Sequence, residues 1–165
     1  MSIRSFIDAA KILLDNKKYE EALCLTCIAV DACSAKEYPD KRNRGNAERC
    51  KLFLKKYFYT ICEYGFPGIQ ANNIRIKVNI PNIALKTDEN GYVDMEQIIY
   101  YVIRCGLVHE CNIEKTIQFT NTSVIGDWNE KFYIPKDIIW GLIASSEESI
   151  CFIGEDKGTG REINA

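Results

Sequence analysis

Apolar residues recur at helical spacing through the first part of the chain. In residues 2–16 and again in residues 18–36 they fall three and four positions apart, which is the period of an amphipathic helix. Ser2 stands where a hydroxyl would cap the first helix, and Asn46 stands where it would cap a third helix that runs to residue 64. The pattern therefore predicts three helices in this part of the chain.

The later part of the chain contains segments in which polar and apolar residues alternate. Such alternation runs from Ile74 to Ile80 and is typical of a short strand. Residues 115–123 and 130–136 alternate in the same way, and we expect these two segments to pair as a β-hairpin.

Two further helices are predicted around the second alternating region. Asp94 is placed to cap an almost continuously apolar helix over residues 95–112, as expected for a helix at the centre of a bundle. Pro135 suits the first turn of another helix over residues 136–149. The pattern thus predicts a mainly α fold, an antiparallel helical bundle with a small β-hairpin insertion, over residues 1–150. The glycine-rich, polar residues 151–165 are expected to form a flexible tail.

Composition agrees with a single compact domain. The chain has 165 residues and 47% hydrophobic content, enough for a core that needs neither a metal nor disulfides, and we predict no cofactor. It lacks a run of about 18 apolar residues, and its acid-containing N-terminus differs from a secretory signal. We therefore expect a cytoplasmic protein without a membrane partner.

The eight cysteines are interpreted as reduced thiols. Cys24 and Cys27 form a CxxC motif, but the motif lies in a helical pattern without a second ligand pair at zinc spacing. Free cysteine commonly behaves as a small buried apolar residue, so we predict no metal site. The alternative is a redox or metal site that uses Cys24, Cys27 and Cys33.

Charge is distributed unevenly along a chain whose formal net charge is −2. Between residues 36 and 56 there are eight basic residues and three acids. Such a stretch can contact phosphates, although basic runs are also common on solvated faces without a polyanionic ligand. The residues predicted to contact nucleic acid are Arg42, Arg44, Arg49, Lys51, Lys55 and Lys56.

The stretch "YYVIRCGLVHEC" combines Arg104 with His109, the single histidine of the chain. Histidine titrates near pH 6.5 and can exchange protons, whereas the permanently charged arginine fork binds phosphate. On an ideal α-helix the two side chains would be about 7.5 Å apart along the axis and roughly 140° apart around it. A second copy of the helix across a twofold axis would bring two such pairs into one groove. RNA suits this chemistry, because its 2′-hydroxyl can act as the nucleophile without a metal.

The segment "RCGLVH" resembles the motif of ribonucleases in the HEPN superfamily (higher eukaryotes and prokaryotes nucleotide-binding), in which four to six residues separate an arginine from a histidine, late in a helical bundle. The order of the predicted helices is similar too. The resemblance implies a homodimeric, metal-independent endoribonuclease with Arg104 and His109 as catalytic residues. It also implies a role in toxin–antitoxin or phage defence systems, with an antitoxin or defence protein as partner.

Two alternatives remain open at this point. Arg104 could pair with Glu110, Glu114 or an acid from another helix and serve only the fold. Cys105 and the acidic pI of about 5.6 favour a second alternative, a non-catalytic HEPN-like dimer that binds a nucleotide, a nucleic acid or a protein.

Overall fold

The computed structural model describes residues 2–40, 45–78, 85–105, 117–128 and 131–156. A π-helical segment, Ile99–Arg104, directly continues the short helix Met95–Ile98. The helices are α1 (Ile3–Asp15), α2 (Tyr19–Glu37), α3 (Asn46–Lys56), α4 (Phe58–Gly65), α5 (Met95–Ile98), α6 (Ile138–Glu148) and α7 (Ile150–Asp156). The prediction of a mainly α fold is confirmed. Within the described ranges, no helix is both long and apolar enough to cross a membrane.

Helix α2 packs against α1, α3, α6 and α7. Its buried residues accordingly cover more than one face, and they include small side chains such as Ala22, Ala29 and Cys33 that allow neighbouring helices to approach. Helix α1 shows the simpler amphipathic pattern, and Ser2 caps it by accepting a hydrogen bond from the Ser5 backbone N–H, as predicted.

Helices α4 and α6 cross at a pair of glycines. A Cβ atom added at Gly141 would lie 3.1 Å from the Cα of Gly65 and would clash with the carbonyl oxygen of Ile61. The absence of a side chain at Gly141 is therefore what lets the two backbones touch, and this crossing fixes one side of the core.

The predicted helix over residues 46–64 is interrupted. Tyr57 has φ −101° and ψ 17°, and it separates α3 from α4. Phe58 follows directly, and both aromatic side chains are buried. The cap of α3 is Gly45 instead of Asn46, and the Asn46 side chain accepts a hydrogen bond from Arg49 within the helix.

A small antiparallel pair precedes α5. Strands β1 (Arg75–Lys77) and β2 (Tyr92–Asp94) pair with Ile76 opposite Val93, and Gly91 takes a positive φ of 83° in the turn before β2. The predicted strand from Ile74 is thus present, although residues 79 and 80 lie outside the described residues. Asp94 occupies the cap position of α5 without a side-chain capping hydrogen bond.

The second sheet corrects the predicted hairpin. Strand β5 (Lys131–Pro135) lies between β3 (Ile117–Thr120) and β4 (Gly126–Trp128), parallel to the former and antiparallel to the latter. Residues 126–128, which connect the two segments predicted to pair, therefore form a strand of their own, and this strand lies on the side of β5 opposite β3. The side chains of Phe132 and Ile134 are fully buried, which favours the central position of β5.

The C-terminal part also departs from the predicted pattern. Pro135 ends β5, and α6 begins only at Ile138. Helix α7 occupies residues 150–156 and buries Phe152, so the prediction of a flexible tail is wrong for this segment. Residues 157–165 lie outside the described residues.

Candidate functional site

Arg104 is the last residue of the π-helical segment Ile99–Arg104. The backbone N–H of Cys105 donates to the carbonyl oxygen of Tyr100, five residues earlier, which is the hydrogen-bond spacing of a π-helix. The ideal α-helical geometry assumed for this stretch is therefore wrong at Arg104. His109 lies outside the described residues, so its pairing with Arg104 stays a prediction.

Asp31 on α2 fixes the guanidinium of Arg104. The Nε and Nη2 atoms of Arg104 both donate to the Oδ2 atom of Asp31, at 2.9 and 2.7 Å. The side chain of Arg104 is 16% exposed and that of Asp31 is 30% exposed, so the pair lies at the edge of the core. The interpretation that an acid from another helix pairs with Arg104 is confirmed.

Local electrostatics keep Arg104 charged. Burial lowers the pKa of the Arg104 guanidinium, but the hydrogen bonds and charge of Asp31 outweigh burial and raise the pKa above its ordinary value. The Cζ atom of Arg104 also lies 5.4 Å from the ring centroid of Tyr100, a favourable cation–π distance. Its Nη1 atom contacts the sulfur of Cys105 at 4.0 Å and is held by no oxygen within the described ranges.

The thiols near Asp31 are suited to packing. Burial raises the pKa of Cys27, and the negative charge of Asp31 raises it further. The same two causes raise the pKa of Cys50. Both thiols are therefore neutral at physiological pH and poor nucleophiles. Among the residues that the structure describes, no group of three or more histidine, cysteine, aspartate or glutamate side chains is arranged to hold a metal ion.

The residues predicted to contact nucleic acid differ in their exposure and in the side chains that they contact. Lys55 is exposed, and the Nζ atom of Lys51 lies 5.7 Å from the ring centroid of Tyr101. Lys56 is exposed as well, but its Nζ atom is 2.8 Å from Glu37, whose hydrogen bond raises the lysine pKa. Arg42 and Arg44 lie outside the described residues.

Arg49 does not reach the surface. Like Cys50 and Phe53, it is one of the buried residues of α3, and it is only 7% exposed. Its Nη2 atom donates to Asn46, while Nε and Nη1 have no partner in the described part of the chain. The prediction of Arg49 as a surface phosphate contact is wrong, because the inward face of α3 buries it.

Two cations and two aromatic rings lie together where α3 meets the π-helical segment. The rings of Tyr100 and Tyr101 are edge to face, with centroids 5.0 Å apart. Arg104 makes a cation–π contact with the Tyr100 ring, and Lys51 makes one with the Tyr101 ring. Sequence reasoning missed Asp31. Its signal is a single carboxylate in the otherwise apolar and small run "CIAVDACS".

Comparison with known proteins gives one result that concerns the whole fold. Neither the curated proteins nor the solved structures yield a match to this chain. A protein-family model, Rv1289, matches residues 2–149, which include α1 to α6, Asp31 and Arg104. The chain therefore belongs to the Rv1289 family.

Proposed function

We propose that this protein is a metal-independent endoribonuclease that acts as a homodimer, with Arg104 binding the scissile phosphate and His109 exchanging protons. The observation that carries the proposal is the fixed position of Arg104. An arginine that is tied to Asp31 through Nε and Nη2 has lost most of its side-chain freedom before a ligand arrives. Its Nη1 edge is the part left for a phosphate oxygen.

The reaction needs few groups. His109 would take the proton of the 2′-hydroxyl, so that the 2′-oxygen forms a bond to phosphorus while the bond to the 5′-oxygen breaks. The proton then passes to the 5′-oxygen. Arg104 would stabilise the charge that develops on the phosphate oxygens. The products are a 2′,3′-cyclic phosphate and a 5′-hydroxyl.

The surroundings of Arg104 support RNA as the substrate class. Lys51 and Lys55 lie one turn apart on α3, which contacts the π-helical segment. Two lysines at that spacing suit successive phosphates of a single strand, and such contacts make binding sensitive to salt. The proposed setting is a cytoplasmic toxin–antitoxin or phage defence system, and the partner would be an antitoxin or another defence protein.

The test is cleavage of a single-stranded RNA by purified protein in the presence of EDTA. We expect cyclic phosphate ends, loss of cleavage in His109→Ala, and a dimer mass by light scattering in both proteins. Lys77→Ala, at an exposed position on β1, is the control and should cleave normally. Full activity of His109→Ala would overturn the mechanism.

A specific observation favours a second candidate, a non-catalytic HEPN-like dimer that binds a nucleotide, a nucleic acid or a protein partner. Asp31 already neutralises Arg104, so the net charge presented to a phosphate is smaller than that of a bare arginine. RNA binding without turnover, unchanged by His109→Ala and weakened by Lys55→Glu, would select this candidate over the nuclease.

A further inference from the structure

A groove of about 600 Å³ lies between α1, α4 and α6. Three aromatic side chains line it and remain accessible: Tyr59 is 46% exposed, Tyr64 is 55% exposed and Trp140 is 39% exposed. Tyrosine and tryptophan dominate the energetics of protein interfaces, since each offers a large apolar face with little conformational freedom to lose. Three accessible rings around one concave surface indicate a binding surface.

The groove is also acidic. Glu63, Glu147 and Glu148 line it, and among the described residues Lys11 is the one base in the lining. Lys11 is 2.6 Å from Glu147, and the hydroxyl of Thr60 donates to Glu148. Glu63 is exposed and forms no ion pair within the described part of the chain. The groove therefore presents aromatic faces beside uncompensated negative charge.

The combination of accessible aromatic rings and negative charge makes some binding partners of the groove unfavourable. A second copy of the chain in a twofold dimer would place like surfaces against each other, so that the acids would repel. A nucleic acid would meet the same repulsion from its phosphates. A purely apolar segment would bury the Glu63 carboxylate without a partner, which is costly.

We propose that the groove binds a lysine-rich segment of a protein partner. The aliphatic stem of a lysine packs on an aromatic face while its ammonium group interacts with the ring and with a neighbouring carboxylate. From Trp140 to Glu148 helix α6 rises about 12 Å, at about 1.5 Å per residue. An extended peptide covers that length with roughly four residues. This proposal does not depend on ribonuclease activity.

The probe is a tetralysine peptide with blocked ends, titrated into the full chain by calorimetry at physiological salt. We expect saturable binding with one site per chain. A tetra-acetyllysine peptide has the same stems without the charges and should bind at least tenfold more weakly. Equal binding of the two peptides would overturn the proposal.

Two variants locate the site. Glu63→Gln removes an exposed charge without breaking a described ion pair. Tyr64→Ala removes an aromatic ring and leaves the charge unchanged. Each substitution should weaken tetralysine binding about five- to tenfold. Glu89→Gln, at an exposed position before β2, is the matched control and should bind like the original chain. Circular dichroism verifies that each variant is folded. The proposal fails if Glu63→Gln and Glu89→Gln weaken binding equally, or if Tyr64→Ala leaves it unchanged.

Discussion

Asp31 and Arg104 are 73 positions apart in the chain, yet one carboxylate oxygen of Asp31 accepts two hydrogen bonds from Arg104. The contact joins α2 to the end of the π-helical segment, and it leaves the Nη1 edge of the guanidinium away from the acid. One ion pair thus serves both the packing of two elements and the orientation of the proposed phosphate-binding residue.

Asp31→Asn removes the charge that faces Arg104 while keeping an oxygen acceptor. Because the pair is only partly exposed, we expect the free energy of unfolding to fall by about 1–2 kcal/mol in urea titrations. RNA cleavage should fall as well if Asp31 positions Arg104. A double-mutant cycle with Arg104→Gln should give a favourable coupling energy.

The control for this prediction is Asp8→Asn, at an exposed position on α1, which should change stability by less than about 0.5 kcal/mol. A coupling energy near zero between Asp31 and Arg104 would contradict the structural role assigned to the pair.

Neighbouring lysines on α3 should differ in their effect on RNA binding. Lys55 is exposed, whereas Lys56 is held by Glu37 at 2.8 Å. If Lys55 contacts one phosphate, Lys55→Ala should reduce the slope of log K against log salt concentration by about 0.7 for single-stranded RNA. Lys56→Ala should reduce that slope less. Fluorescence anisotropy over a salt series measures both, and identical slopes for the two variants would contradict the prediction.

Gly141→Ala should destabilise the protein by about 3 kcal/mol or more. The added methyl group would meet the backbone of Ile61 and Gly65, which cannot rotate away as a flexible side chain can. Thermal unfolding followed by circular dichroism provides the measurement. Gly45→Ala is the comparison, since a Cβ there meets no atom within 4 Å, and its cost should stay below about 1 kcal/mol. Equal stability of the two variants would show that the helix crossing is looser than described.

Buried thiols should make stability fall at alkaline pH. Burial raises the pKa of Cys33 from an ordinary value of 9.0 to about 11. The pKa of Cys33 is higher in the folded chain than in the unfolded chain. The contribution of this thiol to the free energy of unfolding is therefore complete below pH 9 and is lost as the pH rises towards 11. Urea titrations should show that the original chain loses stability faster than Cys33→Ala over this range, by up to about 1.4 kcal/mol per pH unit. If the stability of the original chain and that of Cys33→Ala depend on pH in the same way, the raised pKa of Cys33 is contradicted.

The local pattern of the sequence was sufficient for much of the helical fold. The helical period predicted α1 and α2 nearly to the residue, and Ser2 caps α1 as expected, because these features depend on side chains three to four positions apart. The same pattern missed the break at Tyr57 and the central position of β5. Both depend on which aromatic and branched side chains the rest of the fold buries.

The candidate site divides in the same way. The sequence by itself determined which chemistry is available, a cation at Arg104, an imidazole at His109 and lysines on α3. Only the tertiary structure decided that Asp31 holds Arg104, that Arg49 points into the core, and that rings from α4 and α6 share an acidic groove. The physical reason is range: periodicity and capping act within a few residues, whereas ion pairs and burial are set by segments that meet only after the chain has folded.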